Sequence, residues 1–315
     1  MYRKKIASIS DKKINKKFTW EMFYNCNYNC SYCFQEHCNL NVIDINKLKE
    51  TSLKIKEFII KNKINNLTLM GGEISILKLK DLLFILNVFR KLDIDIEFFS
   101  NFSAKNSYYL NVINFLKNET IVFFFSFHYE KVSEKEFFEK LEDLLKKIPK
   151  NRNVEIFISV VLDDYMFERY ETLYTYFEVL KKTYGDLINL RITERLFSKD
   201  KKTFKSYDFF KFLTKYPEAV MFFDNYQKKV ITFKNGESIY EREPKGFKTC
   251  GYKCLTAHFR LGPENTLTTV CCYNIIAQDF LKYNIDMGYP EYFVCKQKKC
   301  FGAYRKIVLE DKQND

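Results

Sequence analysis

The sequence has no window of eighteen uninterrupted apolar residues, and its first seventeen residues are basic without an apolar segment. Those absences argue against a membrane-spanning helix and a signal peptide, and the expectation is a cytoplasmic protein. No internal repeat, low-complexity linker or appended RNA-binding module is visible either. What is present excludes disorder: 46% of the 315 residues are hydrophobic, enough for one large domain, or a core plus an appended module, to bury a real centre. In a chain without an export signal the ten cysteines belong to a reducing compartment, where a cluster of them means metal binding or catalysis before it means disulfides.

The net charge of +12 invites a nucleic-acid reading. It is discounted here. The basic residues are mostly Lys in a chain also rich in Asn, Ile, Phe and Tyr, as an AT-rich coding sequence produces, and no basic run is interleaved with aromatics. A solvated lysine-rich surface explains the charge.

Hydrophobic periodicity predicts a strand over Lys17 to Tyr24 that runs into Cys26, a helix capped by Asp44 with Leu48, Ile55, Phe58 and Ile59 on one face, and a buried strand from Asn66 to Met70 ending at Gly71-Gly72. The alternation continues through helix Leu77 to Leu92, strand Asp95 to Ser100, helix Ser107 to Lys117, strand Ile121 to His128 and helix Glu134 to Ile148. Strand Val154 to Leu162, helix Phe167 to Tyr184 and strand Ile188 to Thr193 complete it. Six strands alternating with helices predict a parallel α/β sheet, either doubly wound or a partial barrel, which periodicity does not separate. Val122 to Phe127 is apolar at nearly every position, as expected of a central strand covered on both faces. Beyond residue 200 a helix around Tyr207 to Tyr216 is expected, then a hairpin of Lys229 to Phe233 with Glu237 to Tyr240 turning at Asn235-Gly236. The stretch Pro244 to Gly302 holds six of the ten cysteines and reads as a small module needing a metal or cluster staple.

Cys26, Cys30 and Cys33 form C-x3-C-x2-C on the loop after the first strand. Three thiolates there can hold three irons of a cubane and leave the fourth open to an exogenous ligand. Zinc is the structural alternative, with His37 or Cys38 as the missing ligand. The second strand ends in Gly71-Gly72-Glu73, where glycines permit close backbone approach to a ligand and a carboxylate follows to accept from an ammonium group.

The two motifs at adjacent strand ends resemble the radical S-adenosylmethionine superfamily, whose first motif is C-x3-C-x2-C with an aromatic before the third cysteine, here Tyr32, and whose second is Gly-Gly-Glu, usually followed by proline, here Ile74. The resemblance covers residues 16 to 195 and implies a partial (β/α)6 barrel with its ligand at the C-terminal strand ends. Cys26, Cys30 and Cys33 would then ligate a [4Fe–4S] cluster chelated by S-adenosylmethionine, Tyr32 would pack by the adenine and offer backbone contacts, and Gly71, Gly72 and Glu73 would bind the methionyl amino group. Ser100 and Asn101 after the third strand and Ser126 on the fourth stand where the family often places contacts to cofactor ribose or carboxylate, while His128 reads as satisfied or substrate-facing rather than as a ligand. Arg191 alternates with Leu190 and Ile192; if it faces a barrel interior it needs an anion, either a cofactor or substrate carboxylate or a nearby acid. The implied chemistry is one-electron cleavage of the sulfonium to methionine and a 5′-deoxyadenosyl radical that abstracts hydrogen from substrate, with electrons from a donor such as flavodoxin or ferredoxin. No general acid or base is assigned.

Cys250, Cys254, Cys271, Cys272, Cys295 and Cys300 flank an expected hairpin at Gly262-Pro263-Glu264-Asn265 and resemble the family's SPASM or twitch extensions, which hold an auxiliary cluster. The expected ligands are Cys254, Cys271, Cys295 and Cys300, with Cys250 and Cys272 as substitutes, since adjacent cysteines rarely share a metal. Asn265 stands where glycine is usual, and zinc would suit four thiolates equally. The division expected is a radical core over 16–200, a connecting helix and hairpin over 201–243, and the cysteine-rich module over 244–315. The substrate class is a peptide or small molecule, with no separate peptide-recognition domain expected before Lys16. A tRNA-modifying relative would use the charge; a non-catalytic zinc-bound binding protein would leave Gly-Gly-Glu unexplained.

Overall fold

The computed structural model describes residues 16–33, 42–162, 164–194, 219–222, 232–234, 237–239, 253–255, 258–269, 275–288 and 292–294. Six strands alternating with five helices occupy the first part: β1 (Lys17–Glu21), α1 (Ile45–Asn62), β2 (Asn66–Met70), α2 (Leu79–Phe89), β3 (Asp95–Ser100), α3 (Asn106–Phe115), β4 (Ile121–Phe127), α4 (Glu134–Lys147), β5 (Val154–Leu162), α5 (Asp164–Tyr184) and β6 (Ile188–Glu194). β7 (Ala219–Phe222), a hairpin of β8 (Thr232–Lys234) and β9 (Glu237–Ile239), β10 (Lys253–Leu255), β11 (His258–Leu261), β12 (Leu267–Thr269), β13 (Ile275–Ala277) and β14 (Tyr292–Val294) follow.

Local chemistry explains the helix ends. Asp44 caps α1 by accepting from Lys47 N at 3.0 Å, and Ser133 with Glu136 forms a reciprocal capping box on α4. Leu48, Ile55, Phe58 and Ile59 of α1 are all buried, as their spacing predicts. α2 starts only at Leu79, because Glu73 first caps a short 3₁₀ turn over Ile74–Ile76.

β1 to β6 stand in chain order in one sheet and pair in parallel, with β7 parallel beyond β6. A doubly wound sheet reverses its strand order part-way; this one does not, and consecutive helices pack on one another in a single layer. The architecture is α/β with barrel-type winding. The face toward the helices is mostly apolar, with Phe18, Leu67, Ile96, Phe125, Ile158 and Leu190 fully buried and Ser100 the polar exception, its hydroxyl 3.1 Å from Tyr109 Oη of α3. β4 departs from expectation. Ile121, Phe123, Phe125 and Phe127 are buried, but Val122, Phe124 and Ser126 are only partly covered, so its apolar sequence does not mean burial on both faces.

The sheet does not end at β1. β11 pairs with β1 in parallel, Thr19 opposite Arg260, and β12 and β13 continue antiparallel beyond it. Phe259 and Phe280 meet Phe58 of α1 at ring-centroid distances of 5.1 and 5.9 Å. Residues 258–269 and 275–288, too few for a core of their own, thus share that of the main sheet. Asn265, in the turn between β11 and β12, has φ of 72°, the left-handed conformation that favours glycine and that Asn tolerates. The β8–β9 register, Lys234 opposite Glu237, leaves the two-residue Asn235-Gly236 connection expected of a hairpin. The helix expected at Tyr207 to Tyr216 lies outside the described residues.

Candidate metal centre

The first two strands stay zipped together past their ends. Met22 N donates to Met70 O at 2.9 Å, Gly72 N to Phe23 O at 2.8 Å and Glu73 N to Asn25 O at 2.8 Å, so the approach to Cys26 and the Gly71-Gly72 turn run side by side. A Cβ on Gly72 would lie 2.0 Å from Asn25 O, and one on Gly71 2.6 Å from Phe23 O. Sequence reasoning gave the glycines to a ligand's approach. In the structure the backbone that approaches them is the cysteine loop's own.

Glu73 is buried, at 1% exposure. Its Oε1 accepts from Ser75 N and Ser100 Oγ, both at 2.8 Å, and its Oε2 from Asn101 N. Burial raises its pKa and these donors oppose the rise. Expected as the acceptor of an ammonium group, the carboxylate here accepts from the chain itself and ties the Gly-Gly-Glu turn to the end of β3. From there Asn101 Nδ2 donates to Asn27 Oδ1 at 2.9 Å and stands 3.8 Å from Cys26 Sγ, while Asn27 Nδ2 donates to Ser103 Oγ at 2.9 Å. Ser100 and Asn101 therefore reach the cysteine loop through Glu73 and Asn27.

Cys26 Sγ accepts from Tyr28 N at 3.3 Å, and the Cys33 N–H closes a turn on Cys30 O at 3.1 Å. Cys26 and Cys30 are partly covered and Cys33 is exposed. The loop after β4 grips this segment: Glu130 accepts from Ser31 N at 2.9 Å and from Ser31 Oγ, and Lys131 Nζ donates to Asn29 Oδ1 at 2.5 Å. Burial, then the Glu130 charge, pushes the Cys30 thiol up to about 11. His128 Nδ1 lies 3.0 Å from Tyr32 Oη and 3.4 Å from Cys30 Sγ, and burial holds its pKa down at about 4, leaving the ring neutral at pH 7. Tyr32, 7% exposed, stacks on His128 and packs against Tyr129 at 5.1 Å.

Among the described residues no three His, Cys, Asp or Glu side chains meet at single-ion distance. A cubane does not require that, since each thiolate takes its own iron. Three thiols on one partly exposed loop fit such a cluster by donor chemistry.

Ser126, Ser159 and Arg191 lie in one row across β4, β5 and β6, on the face away from the helices. Ser159 Oγ is buried without a hydrogen-bond partner among the described residues. The Arg191 guanidinium sits 5.2 Å from the ring centroids of both Phe99 and Phe124, and Phe124 stacks on Phe157 at 5.0 Å. Of the C-terminal cysteines, Cys254 belongs to β10, whose backbone pairs it with Phe293 of β14. Cys250, Cys271, Cys272, Cys295 and Cys300 lie outside the described residues, as do His37 and Cys38.

Residues 18–121 match the model of a 4Fe-4S single cluster domain. No curated protein sequence matches the chain. SuiB of Streptococcus suis, solved bound to S-adenosylmethionine, is 14% identical, with a TM-score of 0.55 over 88% of this chain and 67% of its own. The same protein bound to the precursor peptide SuiA gives 12% identity and a TM-score of 0.57, over 88% of this chain and 65% of its own. The structure of anSMEcpe with bound AdoMet gives 15% identity and a TM-score of 0.55, covering 88% of this chain and 81% of that one. In fold, the chain is similar to these S-adenosylmethionine-binding proteins. It spans about two thirds of the length of SuiB.

Around the cysteine loop, sequence reasoning missed Asn27, Tyr28, Glu130 and Lys131. The last two had a usable signal, because they follow β4 directly and ligand-side residues of parallel α/β sheets gather at C-terminal strand ends. Asn27 and Tyr28 had only their place between two cysteines.

Proposed function

We propose that this protein is a radical S-adenosylmethionine enzyme in which Cys26, Cys30 and Cys33 hold a [4Fe–4S] cluster. One observation carries the reading: the three-cysteine loop and the Gly71-Gly72-Glu73 turn are hydrogen-bonded side by side at the C-terminal ends of adjacent parallel strands. When bound, the cluster and S-adenosylmethionine together supply one-electron cleavage of the sulfonium and a 5′-deoxyadenosyl radical that takes hydrogen from substrate.

The chain's own residues bind and orient. Gly71 and Gly72 keep the turn close enough to the loop for their backbone to serve the methionyl amino group, and Glu73 holds Ser100 and Asn101 against that turn. Tyr32, with its ring packed inward, offers its backbone to the adenine. Arg191, Ser159 and Ser126 offer a guanidinium and hydroxyls to anionic or hydroxylated groups of cofactor or substrate, over a floor of Phe99, Phe124 and Phe157. The substrate class we favour is a peptide, because SuiB was solved with the precursor peptide SuiA and anSMEcpe with the Cp18Cys peptide. Electrons would come from a flavodoxin or ferredoxin. Cys254, Cys271, Cys295 and Cys300, with Cys250 and Cys272 as substitutes, would bind an auxiliary iron–sulfur cluster in the 244–315 module.

Anaerobic purification with iron, sulfide and zinc analysis tests the reading. Iron and sulfide are expected, dithionite with S-adenosylmethionine should yield 5′-deoxyadenosine, and Cys30→Ala should abolish that yield. A colourless protein with zinc and no iron would refute it. Cys295→Ala should lose only the auxiliary iron; no loss would overturn that ligand assignment.

A further inference from the structure

The middle cysteine of the loop differs from the first in what surrounds its sulfur. Cys26 Sγ faces a backbone N–H, that of Tyr28, and the amide of Asn101. Cys30 Sγ faces two side chains rooted in a well-packed cluster. The Tyr32 hydroxyl hydrogen-bonds it, and His128 Nδ1 lies 3.4 Å away. Tyr32 and His128 are in turn 3.0 Å apart, with rings stacked at 5.9 Å and 11°, and Tyr28 meets His128 edge-on at 5.8 Å. The imidazole is therefore held in orientation by its neighbours.

A cluster-bound thiolate is an acceptor only. A bare Nδ1 at that distance would set lone pair against lone pair, so the favoured tautomer carries its proton on Nδ1 and points it at the sulfur, alongside the Tyr32 O–H. Donors to cluster sulfurs stabilise the reduced, more negative state. We propose that Tyr32 and His128 both donate to the Cys30 sulfur and raise the reduction potential of the cluster bound there. The inference rests on the reading of Cys26, Cys30 and Cys33 as cluster ligands. The couple concerned is one electron onto the cluster, taken from an external low-potential donor, with no proton or group transferred.

The test is an anaerobic redox titration of the iron-loaded protein, with dithionite as reductant and mediators present, followed by electron paramagnetic resonance in the wild type, Tyr32→Phe, His128→Phe and Ser31→Ala. Tyr32→Phe keeps the ring and removes only the hydroxyl. At a fixed potential, each of the first two variants should lower the reduced-to-oxidised ratio about tenfold, ~59 mV for one electron. Ser31→Ala removes one contact of the same loop to Glu130 without touching a sulfur, and should change the ratio by less than about twofold. If His128→Phe fails to load iron, Tyr32→Phe decides. Unchanged ratios in the variants that load, ratios that rise, or an equal fall in Ser31→Ala would overturn the inference while leaving the cluster reading intact. A wild type that binds no iron would overturn both.

Discussion

The two faces of one sheet are built from alternate residues of the same strands and obey different rules. Toward the helices, Phe18 and Trp20 of β1, Leu67 and Leu69 of β2, Ile96 and Phe98 of β3 and the phenylalanines at 123, 125 and 127 of β4 are all buried, with Ser100 at the end of β3 the polar exception. On the other face the same strands carry Thr19, Glu21, Asn66, Thr68, Glu97, Ser126, Ser159 and Arg191. Near the start of the strands these groups satisfy one another: Glu97 accepts from Lys17 at 2.5 Å, Asn66 at 2.7 Å and Thr68 at 2.9 Å, and Glu21 takes a bidentate pair from Arg260 at 2.8 and 2.7 Å. Further along, Ser159 Oγ has no partner among the described residues. Asn66 Oδ1 at the other end likewise lacks one, so each end of this polar face keeps an unpartnered buried oxygen, while the helix-side face supplies stability.

Four substitutions can break that contrast. Phe123→Ala on the helix side should cost about 3–5 kcal/mol in denaturant unfolding. Gly72→Ala should cost about 1–3 kcal/mol, because its Cβ would meet Asn25 O at 2.0 Å, and should also lower iron loading, since the loop must shift. Glu97→Ala, which strands buried donors of Asn66 and Thr68, should cost about 1–3 kcal/mol with iron content unchanged. Ser159→Ala should stay within about 0.5 kcal/mol in stability and yet weaken binding of S-adenosylmethionine or substrate in equilibrium titrations. If Ser159→Ala destabilised as Phe123→Ala does, the division of labour between the faces would not hold.

The elements legible from sequence were those whose length let a period show. β2, β3 and β5 begin and end where the apolar pattern does, and α4 begins at the residue after its Ser133 cap. β1 was read as running to Tyr24 because Met22 and Phe23 continue the pattern; they are buried and still hydrogen-bonded to the second strand's end, but no longer regular strand. β11, β12 and β13 have three or four residues each, too few to show a period, and nothing in them announces a parallel pairing with a strand some 240 residues earlier. Phe124 was misjudged because an apolar residue on a central strand can cover a core or floor a polar cavity with equal sequence signal.

By itself, the sequence determined the alternating α/β pattern, the three thiols in one loop and the glycines at the next strand end, because each is a local pattern with a local physical meaning. Only the tertiary structure decided that the glycines admit the cysteine loop's backbone, that Glu73 is engaged by Ser75, Ser100 and Asn101, and that Tyr32 and His128 converge on Cys30. Those facts depend on which strand ends become neighbours. Strand order is set by long-range pairing and packing, which leave no mark on any single stretch of chain.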